Sequence, residues 1–559
     1  MFPSIRSTVS RLVVGALVAA FAVAACGAAS TPTPPPAGTS PTPTATAPDG
    51  PSGTLTVALS ADAESMDPHR VYQKAGLSIM DALFDALIEI DRADRSVFLP
   101  GLATSWTTAP DAIELTLRGG VTFSNGEPFD AEAARFSILR VMDVDPATGQ
   151  PLVDDALRLN SDYSRSYGAV ESVEVVDPLT LRINLSRWDA GLIPALATLA
   201  MLPPKHAAAV GNEGLKTQPV GTGPYVLSEW VPDDHATLVA SDFQWDRPRG
   251  KALVLEVIFR PIPDVATRIS ELTTGGVQLA QDIPVDQAGA VKAGGATIVA
   301  FDDARHTEIW LTADRGGQLA TSGNATPAQL LAIEALSKVE VRTALNMAVD
   351  RDAYVDALFN GFATPMTQGF VPGDIAYVPG IEPWPYDPAA AREMLADAGY
   401  PDGFEAELDM CTCDAAIADL VTAVQADLAA IGVRTTVREA EIGAFNGAWA
   451  TGATNPMRAS RLSFLDPNIY GLFWLQTKGL LSRFSDPEMD RLVAEQAAQM
   501  DPALRLKALR EIAALTHDLA PAIFLVGFQS VYGVAATGIE GWQPHILGHI
   551  SILDTSVGD

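Results

Sequence analysis

Cysteine is nearly absent: three in 559 residues, at Cys26, Cys411 and Cys413. Three thiols cannot build the disulfide framework that staples small secreted domains, so this fold has to rest on buried apolar surface. Basic residues are also scarce, 37 Lys and Arg against 68 Asp and Glu, for a net charge of −31. A body this acidic is repelled by nucleic-acid phosphates and by anionic lipid head groups, which argues against both as direct partners. Past residue 53 no apolar run reaches the roughly 18 residues of a membrane-spanning helix, and the body is expected to be soluble. Catalytic signatures are missing too: no GxSxG elbow, no HExxH and no GxxxxGK[ST] phosphate loop. Their absence lowers the case for an enzyme without excluding one.

What the chain does have begins at its N-terminus. Arg6 and Arg11 precede an apolar run from Leu12 to Ala25, which is the charge and length pattern of an export signal. Val23-Ala24-Ala25-Cys26-Gly27 then resembles a bacterial lipobox, in which Cys26 is acylated and becomes the mature N-terminus. The other reading is an ordinary secretory signal with a chance cysteine. Loss of residues 1–25 would take the net charge from −31 to −33. Residues 26–53 follow as a Pro/Thr-rich segment, "STPTPPPAGTSPTPTATAPDGPSG" in its main part. With hardly an apolar side chain to bury, it reads as an extended linker. The roughly 500 residues that remain exceed one core and imply two or three domains or lobes.

Within that body strands and helices alternate. "GTLTVALS" (53–60) places Leu55, Val57 and Leu59 on one face of a strand, and "ALVLEVIF" (252–259) is a denser run suited to a central strand. Ile417, Leu420, Val421, Val424, Leu428 and Ile431 follow helical spacing up to Gly432. The flanking "FEAELDM" and "VRTTVRE" make that segment a βαβ unit with a parallel pair. Asp486-Pro487 and Asp501-Pro502 each set an N-cap acid before a helix-opening proline, and Asp350 caps "RDAYVDALF". "GVTFSNGEPF" reads as a hairpin turning at Asn125-Gly126.

Three short motifs stay ambiguous. Cys411 and Cys413 form a CxC pair, compatible with a disulfide, a redox site or soft metal ligands, and read here as inert. "GTGPY" (221–225) lacks the third glycine of a dinucleotide fingerprint and is expected to be a turn into a strand. His545 and His549 stand four apart, a metal-ligand spacing on a helix, but Pro544 and Gly548 favour a loop. No metal ligands, catalytic residues or cofactor are assigned.

Six blocks then carry a resemblance, in this order: "FLPGLATSW", "LTLRGGVTFSNGEPFDAEAARFSI", "VGTGPYVLSEW", "VRTALNMAVDRDAYVDALFNGFATP", "YDPAAAREMLADAGYPDGF" and "FSDPEMDRLVAEQAAQMDPALRLKALREIAALTHDLAP". Together they resemble solute-binding protein family 5 of ABC importers, the dipeptide-, oligopeptide- and nickel-binding type. The resemblance implies an α/β, two-lobed periplasmic-binding-protein fold of type II, with mixed sheets, flanking helices and an extra subdomain. On that pattern 54–97 and 215–306 belong to lobe I, 98–214 is the extra subdomain, 307–520 is lobe II and 521–559 returns to lobe I. Hinge crossings fall near 302–312 and 518–530.

The resemblance also implies a monomeric carrier on the outer face of the cell membrane, held by its lipid anchor alone. It would deliver a small peptide or peptide-like solute to permease and ATPase subunits and perform no chemistry. Peptide-binding members hold the ligand's amino group with an Asp in W-x-x-D-x-x-D-P. Counting back from Asp466-Pro467, Ser460 stands in place of the Trp and Ser463 in place of the Asp. A serine cannot supply the charge-assisted bond of a carboxylate, whereas Arg458 and Arg461 in the same stretch suit an anionic or carbonyl group. Opposite them, Glu64, Ser65 and Tyr72 are the expected contacts, with Trp310 and Trp449 as stacking surface or core. A nickel or metal-chelate carrier, a carrier of another small polar solute, and a sensor or enzyme on the same fold stay open.

Overall fold

The computed structural model describes residues 50–558 apart from 93, 146–147, 153–165, 244, 246, 248–249, 314–324, 413–414, 451–454, 465, 478 and 480. The signal segment, most of the linker, Cys26 and Cys413 lie outside the described residues. Eleven strands form the main sheet. In chain order they are β1 (Thr54–Leu59), β2 (Tyr225–Val231), β3 (His235–Ala240), β4 (Glu256–Pro261), β5 (Leu279–Ala280), β6 (Thr297–Leu311), β7 (Ala363–Pro365), β8 (Phe404–Cys411), β9 (Val433–Ala440), β10 (Met457–Ser463) and β11 (Ala522–Val534). Across the sheet the order is β9-β8-β10-β6-β11-β5-β1-β4-β3-β2, with β7 paired to β11 off this path.

β6 and β11 hold the sheet together. They run antiparallel from Thr297 opposite Val534 to Trp310 opposite Ala522, with register shifts between Asp302 and His306 and between Thr307 and Glu308. β11, "AIFLVGFQSVYGV", is buried at all but two positions, which is why its apolar run is nearly continuous. One end of the pair packs with β1 and β4: Tyr532 shares a core with Leu55, Val57 and Phe259. The other end packs with β8 and its helix: Ile309 and Ile523 share a core with Leu408, Leu420 and Val424. Two packed bodies therefore lie along one sheet. Glu308 sits near the C-terminal end of β6, fully buried, accepting a hydrogen bond from the Tyr470 hydroxyl at 3.2 Å.

The βαβ unit forms as the spacing demands, with β8 parallel to β9 and the helix Ala415–Ala430 between them. Asp350, Asp486 and Asp501 each accept backbone N–H groups at a helix start. Gly126 takes the left-handed φ of +85° that the hairpin turn requires. The expected strand at 252–259 is shifted: β4 begins at Glu256, and Leu253 and Leu255 are exposed rather than central. Cys411 is disulfide-bonded, one of the states open to the CxC pair.

Within 98–214 a second sheet of four antiparallel strands packs under the helix Ala131–Val141, around Ile113, Leu115, Ile138 and Ile183. It is tied to the segment before the helix Lys74–Leu83 by a buried fork, Arg140 donating to Asp67 Oδ1 and Oδ2 at 2.9 and 2.6 Å. "GTGPY" leads into β2, and both its glycines press on the backbone at the end of that helix. A Cβ on Gly223 would stand 2.3 Å from the Leu83 carbonyl carbon. Close approach, not phosphate binding, explains the two glycines. No helix among the described residues is long and apolar enough to cross a membrane.

Candidate functional site

A cavity of about 640 Å³ opens where these bodies meet. The helix Lys74–Leu83 supplies one wall, with Lys74, Leu77, Met80 and Asp81. The segment after β10 supplies the facing wall with Ser463, Phe464, Asn468 and Phe473, and residues 189–200 supply a third with Asp189 and Thr198. The C-terminal segment closes the edge with His545, Leu547 and His549.

Cations on this surface arrive already paired. The Lys74 ammonium and the Arg305 guanidinium both contact Asp303 Oδ2, at 2.8 and 2.6 Å, and Lys74 also donates to the Ser530 hydroxyl. The register shift in β6 after Asp302 interrupts its pairing with β11 around Arg305, which stays paired with Ser463 of β10 and lines the cavity. Burial opposes ionisation of Asp303, but Lys74 and Arg305 outweigh it and hold the carboxyl far below its usual range. Lys74 and Arg305 share the carboxylate of Asp303, with Asp282 also acting on both cations, and Arg305 stays partly exposed at the cavity. Arg247 forks onto Asp85 at 2.5 and 2.7 Å.

Carboxylates occupy other parts of the lining. Asp189 accepts from the Asn468 amide at 2.8 Å and from the Gly191 N–H at 2.9 Å, and burial raises its pKa. Next to this bond, Trp188 Nε1 donates to the Gln499 carbonyl at 3.0 Å and the Ala190 N–H donates to the Ala497 carbonyl at 3.1 Å. Three hydrogen bonds thus bridge residues 188–190 and the 467–500 region, the Asn468–Asp189 bond in the cavity lining and the other two outside it. Asp81 Oδ1 stands 4.0 and 3.8 Å from Nε2 of His545 and His549, whose rings stack 3.9 Å apart.

Of the residues singled out from the sequence, Tyr72 and Ser463 line the cavity. Glu64 does not: its carboxylate caps the helix Lys74–Leu83, accepting from the Tyr72 and Gln73 N–H groups at 2.8 and 3.0 Å. Ser65 is buried and accepts from the Asp67 N–H. Trp310 is core, stacked on Trp474 at 4.8 Å. Trp449 falls in the helix Ile442–Ala450, and its side chain lies outside the described residues.

Arg458 faces away from the cavity. Strand alternation turns Arg458 and Ser460 to the same face of β10, where the Arg458 guanidinium lies over Phe445 and donates to the Phe445 carbonyl, Asn446 and Ser460. Burial lowers its pKa to about 10. Arg461 is exposed, 5.9 Å from the Phe528 ring, and is not part of the lining. Lys74, Asp81, Asp189 and Arg305, four of the charged groups of the lining, carry no signal of their own in the sequence. Lys74 and Asp303 are 229 positions apart, and no local pattern joins them. Arg305 did fall inside the expected hinge segment.

Known proteins match this arrangement along most of the chain. The pattern of the bacterial extracellular solute-binding proteins, family 5, middle part, covers residues 97–477. A glutathione-binding protein GsiB of Salmonella paratyphi A is 28% identical over 494 residues, 84% of this chain and 88% of that one. Among solved structures, DppA from Helicobacter pylori in complex with the peptide STSA superposes with a TM-score of 0.70 at 23% identity, covering 91% of this chain and 98% of that one. NikZ from Campylobacter jejuni in complex with Ni(L-His) gives a TM-score of 0.66 at 21% identity, covering 89% and 96%. Both share the two-lobed mixed α/β fold of periplasmic binding proteins. With its middle part matched over more than half its length, this chain belongs to family 5 of the bacterial extracellular solute-binding proteins, which bind solutes and do not convert them.

Proposed function

We propose that this chain captures a peptide or peptide-like solute in the cavity and hands it to the permease of an ABC importer. The observation that carries this reading is the lining itself: about 640 Å³, within the roughly 300–1,000 Å³ of small-molecule sites, with apolar walls and separated charges. The Lys74–Asp303–Arg305 cluster suits the solute's carboxylate, and the carboxylate of Asp189 suits an amine. An anionic group of the solute is thereby assigned to Lys74 and Arg305 in place of Arg458 and Arg461. The GsiB and DppA relatives, named for glutathione and crystallised with a peptide, support the same solute class.

The lobes in this reading are 54–97 with 215–306 and 521–559 on one side and 307–520 on the other, 98–214 being an appendage. β6 and β11 act as the hinge, and the bonds at Trp188, Asp189 and Ala190 hold the cleft shut. Cys26 anchors the mature chain to the outer face of the membrane, and residues 26–53 space the body from it. Cys26→Ser should leave an unprocessed or released protein, and a wild-type N-terminus elsewhere would end the anchor assignment. The carrier reading is tested by small-angle scattering and mass spectrometry with a defined peptide library. Bound peptide should be recovered unchanged and the radius of gyration should fall on binding. Recovery of cleaved or modified peptide, or binding without compaction, would refute it.

A further inference from the structure

We propose that Asp81, His545 and His549 hold a divalent transition-metal ion in the cavity wall, its remaining coordination positions facing the solute. One ligand atom from each lies within 4.8 Å of the others, and His545 Nε2 and His549 Nε2 stand 4.0 and 3.8 Å from Asp81 Oδ1. These separations are too long for hydrogen bonds. Metal bonds of about 2.0–2.2 Å to nitrogen and carboxylate oxygen would draw the three atoms slightly inward.

The second observation is independent of spacing. His549 is only 4% exposed, yet neither ring nitrogen makes a hydrogen bond, and Asp81 Oδ2 is buried in the same condition. Buried polar atoms are rarely left so, and a cation among them satisfies both groups at once. Two imidazoles with one carboxylate make a borderline-soft donor set, suited to Zn²⁺, Ni²⁺, Cu²⁺ or Fe²⁺ rather than to Mg²⁺ or Ca²⁺.

The trio is also pre-positioned. Asp81 projects from a regular helix, and the loop carrying the histidines is tied to that helix where the Ile550 N–H donates to Ser78 Oγ at 3.0 Å. Within the loop, the Gly548 N–H donates to the His545 carbonyl at 2.8 Å, with Gly548 at a φ of +75°. The loop form predicted from Pro544 and Gly548 is therefore present, and it is the tight turn, not a helix, that stacks the two rings. His545 directs its ring at the same carboxylate, with Nε2 4.0 Å from Asp81 Oδ1. Its Nδ1 accepts the Leu547 N–H at 3.2 Å. Ligation through Nε2 moves the ring proton to Nδ1 and opens that contact, so His549 and Asp81 are the stronger pair.

The site deepens the carrier reading, since solute amine, carboxylate or thiolate groups would complete the coordination sphere. The test uses the whole chain without a polyhistidine tag, stripped with chelator and titrated with Ni²⁺, Zn²⁺ and Co²⁺ by calorimetry, with Co²⁺ absorption as a second readout. One ion per chain should bind. His549→Ala and Asp81→Ala should each weaken it by more than the roughly 10–100-fold that losing an outer partner costs. His206→Ala, whose ring bonds the Gln218 carbonyl away from the cavity, should change nothing. Near-UV dichroism checks folding, with His549→Gln and Asp81→Asn replacing any variant that fails it. No bound ion, or an ion held equally well by the Asp81 and His549 variants, overturns the proposal. Peptide capture by the stripped protein is measured separately, so loss of the metal site and loss of the carrier reading are distinguishable.

Discussion

Glu308 offers a direct test of the buried chemistry near the C-terminal end of β6. Burial carries its carboxyl from an ordinary 4.5 up to about 8, with Tyr470 and Trp310 pulling less strongly the other way. His306, two residues along, is held down to about 4 by burial, so both groups are neutral across the mildly acid to neutral range. Below pH 4.5 Glu308 carries its proton in the folded and the unfolded chain alike, and its contribution to stability is fully present. As pH rises from there the unfolded chain releases the proton while the folded one keeps it, so stability is lost until the folded carboxyl itself ionises near pH 8. At about 1.4 kcal/mol per pH unit the loss approaches roughly 4–5 kcal/mol. Glu308→Gln keeps the shape and the hydrogen-bonding capacity without the proton. Urea unfolding followed by tryptophan fluorescence, with Trp310 and Trp474 stacked nearby as reporters, should give similar midpoints for both proteins near pH 4.5. Near pH 8 the variant should be the more stable by several kcal/mol. Other titrating groups cancel in the difference between the two profiles. Parallel profiles across this range would refute the reasoning.

Further outcomes follow from the same geometry. Arg140→Ala removes the fork from Asp67, which is fully buried, and should cost about 3–5 kcal/mol in denaturant unfolding; a cost under about 1 kcal/mol would contradict the buried-pair account. Gly223→Ala should cost at least about 3 kcal/mol or prevent folding, because the new methyl meets Leu83 and Ala82 backbone; wild-type melting would show that the approach is looser. Trp188→Phe deletes the hydrogen bond to Gln499 outside the cavity. Losing about 1 kcal/mol from the closed form should weaken solute binding roughly fivefold, mainly through faster release. Unchanged affinity and unchanged compaction would count against a latch there.

Local elements were legible where one pattern decided them. The βαβ unit follows from the helical spacing of Leu420, Val424 and Leu428 between two strand-like runs, and the Asp-Pro starts follow from capping chemistry. The 252–259 run misled because Leu253 and Leu255 look like core although they lie on the approach to β4, in solvent. The site was harder. Arg458 stands beside Asp466-Pro467 in sequence, but which face of a strand a residue takes depends on pairing, and here the helix Ile442–Ala450 claimed its guanidinium. Lys74, Asp303 and Ser530 meet from three distant segments, so their cluster is a property of the sheet order. His545 and His549 stand on a loop, where helical spacing does not apply, and the closeness of their rings comes from the tight turn at Gly548, which no residue spacing displays.

The position of β11 has a kinetic consequence. It is the last strand among the described residues, yet it is paired to β6, β5 and β7 in the middle of the sheet and contributes to the cores on both sides. Its partner β6 lies more than 200 residues earlier. At roughly 5–20 residues per second, about half a minute to two minutes pass before residue 522 is synthesised. Until then neither core can close, and the long loops to be ordered make even the finished chain a slow folder. A nascent chain that stays open this long is one that a translocation channel can still thread, and one that needs a holding chaperone while it waits.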